Sequence, residues 1–125
     1  MKKIIQTTKA PAPIGPYSQA VFANNMLFVS GQIALNPTTG NLIVNDIKSE
    51  TKQVMENIKA ILAEANLDFN SIVKTSIFLS DMTNFSEVNE VYGSYFTSDF
   101  PARETIQVAR LPKDVNVEIS VIAVK

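Results

Sequence analysis

The chain contains no cysteine and no histidine. Without cysteine there is no disulfide, no thiolate nucleophile and no sulfur ligand for a metal. Without histidine, the commonest metal ligand and the commonest general base at neutral pH are gone. The chain also lacks an excess of charge of either sign. Eleven Lys and Arg stand against twelve Asp and Glu, for a net charge of −1, and no run of like charge exceeds Lys2-Lys3. It therefore shows no electrostatic footprint for nucleic acid. Long hydrophobic runs are missing too. The opening stretch MKKIIQTTKAPAPIGPYSQ offers only Ile4-Ile5 as an apolar pair, far short of a signal-peptide core or a membrane span. The expected location is cytosolic, with no membrane partner.

What remains is the chemistry of carboxylates, arginine, tyrosine, hydroxyls and the backbone. That inventory suits a substrate that is already reactive and needs mainly orientation and a positioned water. At 125 residues, 46% of them hydrophobic, the chain has the size and apolar content of one ordinary core. A single domain spanning 1–125 is expected.

Lys9-Ala-Pro-Ala-Pro-Ile-Gly-Pro-Tyr17 carries three prolines and a glycine. It can join neither a regular ladder nor a helix, and it reads as an ordered loop bordering a site. Asn24-Asn25 separates two strand-like stretches, Gln19–Ala23 and Met26–Ser30, which predicts a hairpin whose second strand ends at Gly31. Asn36-Pro-Thr-Thr-Gly40 is a turn-rich loop. From about Ile47 to Asn66, residues Val54, Ile58, Ile61, Leu62 and Ala65 recur at helical spacing, with Asp46 as N-cap. Ile72–Leu79 is apolar and β-branched enough for a mostly buried strand, and Asp81-Met-Thr-Asn84 resembles a turn. A second helix is predicted from Asn84, with Glu87 as its capping-box partner. Its stripe is Phe85, Val88, Val91, Tyr92, Tyr95 and Phe96, and Pro101 stops it. Glu104–Ala109 alternates as a strand. Val115, Val117, Ile119, Val121 and Ala123 mark one face of a last strand.

This order describes an α+β fold with both helices on one face of a mixed sheet. Because Ile122 and Val124 make the last strand apolar on its second face as well, that face is expected to be buried by self-association.

Two-residue alternation puts Arg103 and Thr105 on one face of the penultimate strand. It puts Asn116, Glu118 and Ser120 on the polar face of the last, so the two faces can meet if those strands pair. Arg103, held behind Pro101-Ala102, reads either as a two-point clamp for a carboxylate or as a surface salt bridge. Glu118 is either a general base toward water or an exposed edge carboxylate. Tyr17 walls a pocket or simply packs. Ser30-Gly31-Gln32 offers open backbone N–H groups or merely a turn. Asn89 hydrogen-bonds across an interface or faces water.

Taken together, Ile14-Gly-Pro-Tyr-Ser-Gln19, Val29-Ser-Gly-Gln32, Phe85-x-x-Val88-Asn89-x-x-Tyr92, Pro101-Ala-Arg103 and Val117-Glu118-Ile119 resemble the RidA/YjgF reactive-intermediate deaminase family in order and spacing. The resemblance spans essentially the whole chain. It implies a chorismate-mutase-like α+β fold and a homotrimer whose sheets face a central barrel, with three clefts between neighbouring subunits. It implies hydrolysis of 2-iminopropanoate and 2-iminobutanoate, or their enamine tautomers such as 2-aminoacrylate, to 2-oxo acids and ammonia, with no cofactor and no metal. Carried over by position, Arg103 would clamp the substrate carboxylate and Glu118 would help place the attacking water. Tyr17, Ser30, Gly31 and Asn89 would line the cleft. Many members have Ser and Cys directly after the arginine, where this chain has Glu104 and Thr105. Thr105 keeps a hydrogen-bonding side chain in the substrate site but not the thiol.

Two rival readings use the same residues. A trimeric binding or regulatory protein could sense a 2-oxo acid without turnover. Nucleic-acid cleavage or translation inhibition, as in some relatives, would need a positive groove that this sequence does not advertise.

Overall fold

The computed structural model covers residues 1–125. Six strands form one sheet: β1 (Lys3–Ile5), β2 (Ala20–Ala23), β3 (Met26–Gln32), β4 (Ile72–Leu79), β5 (Ala102–Gln107) and β6 (Val117–Val124). Their spatial order is β1-β2-β3-β6-β4-β5, antiparallel throughout except for the parallel pair β4 and β5. Helices α1 (Ile47–Glu64) and α2 (Phe85–Gly93) supply the long connections β3 to β4 and β4 to β5. The chain is therefore the expected α+β fold, with two helices packed over a mixed sheet.

Local chemistry explains most boundaries. Asn24 and Asn25 adopt φ of 50° and 62°, the left-handed conformation that a two-residue hairpin turn requires and that asparagine tolerates. Asp46 begins α1 by accepting from the Ser49 N–H at 2.8 Å. Asn66, at φ 60°, leaves the helix through the left-handed region just beyond its last turn. Val54, Met55, Ile58, Ile61 and Leu62 form the buried stripe of α1. They pack against Leu27, Val29, Ile77, Leu79 and the inward face of β6, which is Val117, Ile119, Val121 and Ala123. Each such side chain contributes about 1.5–3 kcal/mol through burial.

Four expectations need correction. Gly31 does not end the hairpin's second strand. Val29 pairs with Val121 but Gln32 pairs with Ile119, so three residue steps on β3 match two on β6 through a β-bulge and the strand runs on to Gln32. The capping box at Asn84 is absent. Asn84 is already in the right-handed helical region and its side chain caps nothing, because the 3₁₀ turn Met82–Asn84, capped by Asp81, feeds directly into α2. That helix also stops at Gly93, leaving Tyr95 and Phe96 beyond it, with Phe96 still buried against Tyr92. Finally, β5 and β6 do not pair, because β4 lies between them. The strand β1, for which only the pair Ile4-Ile5 was visible in the sequence, adds an edge beside β2.

The second face of the sheet carries no helix. Ile4, Val21, Phe28 and Ile122 are successive register partners across β1, β2, β3 and β6. Ile4 and Phe28 are 47% and 43% exposed, so an apolar row crosses the open face. No helix is long and apolar enough to cross a membrane.

Candidate active site

The residues singled out above, Thr105 aside, divide between two separate depressions. The first, of about 330 Å³, lies between the proline-rich loop and the bulged end of β3, with Tyr17, Ser30, Gly31 and Glu118 on its wall. Its loop is tied down from within. Gln19 is buried; its Oε1 accepts from the Thr7 N–H at 2.7 Å and its Nε2 donates to the carbonyls of Thr7, Ala10 and Pro11 at 3.0, 3.3 and 2.8 Å. Ser30 fastens the other end, donating from Oγ to the Ser18 carbonyl at 2.6 Å and from its N–H to the Gln19 carbonyl at 2.9 Å. The Tyr17 hydroxyl accepts from the Ile14 N–H at 3.3 Å, while the ring stays half exposed at the rim.

Gly31 and Glu118 face each other on the floor of this cleft. A methyl group at position 31 would collide with the Glu118 carboxylate, so the glycine is demanded by close approach and not by a turn. Burial pushes the Glu118 carboxyl above its ordinary value, because the charged form is disfavoured where water is scarce.

The second depression, of about 360 Å³, lies beside α2 and is lined by Asn89, Tyr92, Gly93, Phe100, Pro101 and Arg103. Arg103 Nη1 donates to Asn89 Oδ1 at 2.7 Å. The guanidinium stands 5.3 Å from the Tyr92 ring centre and 5.7 Å from that of Phe85, within cation–π range. Tyr92 is itself fixed by donating to Thr75 Oγ1 at 2.9 Å. Arg103 makes no ion pair with any carboxylate of the chain, so the salt-bridge reading is not realised. The fork is oriented by one amide and two rings, and its remaining N–H groups are left for another acceptor. Asn89, rather than facing water, orients this arginine.

The two depressions lie on opposite faces of the sheet. Arg103 and Thr105 pair with Thr75 and Ile77, whose side chains point into the helix-covered core. Glu118 pairs with Phe78 on the open face. The expected meeting of these residues across paired strands therefore does not occur within one chain. Thr105 lines neither depression; its Oγ1 is buried without a hydrogen-bond partner.

Three supporting residues escaped sequence reasoning. Glu50 and Asn57 of α1 are buried polar groups. Asn57 donates from Nδ2 to the carbonyls of Ile33 and Leu35, at 3.1 and 2.9 Å, behind the wall of the first cleft. Both stand on the apolar stripe of the helix, and a polar residue at a stripe position is the signal that marked them. Gln19 opens a strand-like stretch in the sequence, but its side chain does the more specific work.

Comparison with known proteins places this architecture. Residues 7–125 match the family model described as endoribonuclease L-PSP. The chain is 52% identical over 125 residues to the RutC family protein PH0854 of Pyrococcus horikoshii, covering all of this chain and 99% of that one. It is 48% identical over 125 residues to the 2-iminobutanoate/2-iminopropanoate deaminase of Mus musculus, covering all of this chain and 93% of the mouse protein. The crystal structure of the YjgF gene product of E. coli superposes with a TM-score of 0.94 at 47% identity, over 98% of each chain. On these matches, which span it nearly end to end, the chain belongs to the RidA/YjgF family.

Proposed function

We propose that the protein is a cytosolic deaminase that hydrolyses 2-imino acids, such as 2-iminopropanoate and 2-iminobutanoate or their enamine tautomers, to 2-oxo acids and ammonia. In this reading it works as a homotrimer, and each site combines the Arg103 depression of one subunit with the Glu118 cleft of the next. The observation that carries the proposal is the Arg103 guanidinium, oriented by Asn89 and two aromatic rings yet unpaired with any carboxylate. A fork held in that way is complementary to a substrate carboxylate. The name of the mouse relative supports the reaction. The exposed apolar row from Ile4 to Ile122 supports association through the open sheet face.

The chemistry asks little of the protein. The imine carbon is already electrophilic, so Arg103 fixes the carboxylate end and the cleft fixes the reacting end. Glu118 accepts a proton from water as its oxygen bonds to C2, giving a carbinolamine. That proton goes to the imine nitrogen to complete the carbinolamine; the carboxylate then takes the proton of the new hydroxyl and passes it to the amine, so that the C=O forms as the C–N bond breaks and ammonia leaves. A carboxyl raised by burial suits both halves of that transfer. The arithmetic closes without a cofactor: imino acid plus water gives oxo acid plus ammonia.

The test couples a source of 2-aminoacrylate to pyruvate detection, with wild-type protein and Arg103→Ala side by side. The expected result is accelerated pyruvate release with wild type only, both proteins remaining trimeric by light scattering. Tight binding of a 2-oxo acid with no acceleration by wild type would overturn the proposal in favour of a binding protein.

A further inference from the structure

We infer that Glu50, on the first turn of α1 and outside both depressions, is a positioning residue that sets the height of Glu118 in its cleft. The role assigned to Glu118 rests on the deaminase reading above; the positioning itself rests on contacts within one chain.

Glu50 is fully buried, and no Lys or Arg pairs with it. A buried carboxylate without a cation is costly, and it persists only where fixed donors satisfy it. All of its donors belong to the two residues that precede Glu118. Oε2 accepts from the Asn116 N–H at 2.7 Å and the Val117 N–H at 3.3 Å, and Oε1 accepts from Asn116 Nδ2 at 2.8 Å. From the other side, the Ser80 N–H donates to the Asn116 carbonyl at 3.1 Å. The entry to β6 is thus gripped between α1 and the end of β4.

The grip matters because the next residue but one has no room to spare. The Glu118 carboxylate lies over the β3 bulge where even a methyl group on Gly31 could not fit. A slip of β6 would carry the Glu118 carboxylate away from its place over the Gly31 backbone on the cleft floor. Substrate binding through Arg103, on the other face of the sheet, would be left alone. Loss of Glu50 should therefore fall on kcat and spare KM.

The chemistry of the pocket also predicts which substitution it tolerates. In Glu50→Gln, the amide oxygen can still accept from both backbone N–H groups. The new Nε2 then meets Asn116, whose amide can turn to present Oδ1, because its present contact there is only the Ser80 hydroxyl at 3.4 Å, which can equally accept. Glu50→Leu offers no acceptor, and leaves three donors stranded.

The experiment measures kcat and KM for wild type, Glu50→Gln, Glu50→Leu and Asn116→Ala, together with the four glycine amide resonances of ¹⁵N-glycine-labelled protein. Gly31 reports the position of Glu118, while Gly40 and Gly93, whose Cβ positions are open and which do not touch Glu118, serve as controls. Expected is a kcat loss of about 10- to 10²-fold in Glu50→Leu, with KM within about two-fold, a displaced Gly31 resonance and unmoved controls. Glu50→Gln should restore most of the rate and the wild-type Gly31 position. Asn116→Ala, which removes one of three donors, should shift Gly31 in the same direction by less, and it decides the question should Glu50→Leu not fold. An unmoved Gly31 resonance in every folded variant, or a loss carried by KM alone, overturns the inference. If wild type itself turns over no imine, the deaminase reading falls while the Gly31 resonance still decides the positioning.

Discussion

Gly31 and Glu118 stand so close that a Cβ at position 31 would run into Glu118 Oε2 and lie 2.7 Å from Cδ. The obstacle is the end of a flexible side chain, which can swing aside, so Gly31→Ala should fold. The swing removes the carboxylate from its place, however, and a displacement of that size costs on the order of 10²-fold in rate. Expected is wild-type circular dichroism with a kcat reduced about that much. A variant that keeps full activity would show that the carboxylate's position over the bulge is irrelevant to turnover.

That contact also marks where sequence reasoning reaches and where it stops. The hairpin at Asn24-Asn25, the stripe of α1 and the Asp46 cap were legible because each follows from local rules of turn conformation, helical period and side-chain capping. The sequence points to Gly31 as a strand end and, by resemblance, as part of the cleft, but not to the bulge that carries the strand past it, which is a property of its pairing with β6 and not of its neighbours in sequence. The meeting of Arg103 and Glu118 was misplaced for the same reason. Alternation correctly assigned each residue to a face of its own strand, but strand order decides whether those faces meet, and β4 enters between them from a remote part of the chain. Asn84 failed as a cap because the preceding 3₁₀ turn already satisfied the start of α2.

Gln19 shows how much one buried amide can organise. Replacing it by leucine keeps the volume but leaves the Thr7 N–H and the Thr7, Ala10 and Pro11 carbonyls without their partner. Stranded groups of this kind cost about 1–3 kcal/mol after partial rehydration, which urea denaturation would read directly. Because the loosened segment carries Tyr17 and not Glu118, KM should rise more than kcat falls. Unchanged stability would mean that the proline-rich loop holds its shape unaided.

Asp46 links acid stability to the same helix that carries Glu50. The Ser49 backbone N–H, followed by the Ser49 hydroxyl, holds the Asp46 carboxyl below its ordinary value. A depressed carboxyl contributes stability that is fully present above its unfolded pKa and is lost as pH falls through the folded one. Asp46→Ala should therefore melt at a lower temperature than wild type at pH 7, with the gap closing as pH is taken below about 4. Thermal scans of the two proteins across that range check it. A gap that is constant with pH would assign the effect to something other than the charged cap.

The division of the candidate site between two faces of the sheet makes the strongest demand on the proposed trimer. Arg103→Ala destroys one half-site and Glu118→Ala the other, and each variant alone should be inactive. Co-expressed with different affinity tags and purified through both, the two chains form mixed trimers. In a closed ring with one heterologous contact repeated three times, the Arg103 half of one subunit always meets the Glu118 half of the next. A site is whole only where neither half is mutated, and in every mixed trimer, whichever chain is present twice, that holds for about a third of the sites. Recovery of activity near that fraction is expected from subunits that are singly dead. Mixed trimers with no activity at all would mean that Arg103 and Glu118 do not serve one site across a subunit boundary, and since the sheet separates them within a chain, one of the two would have to be removed from the mechanism.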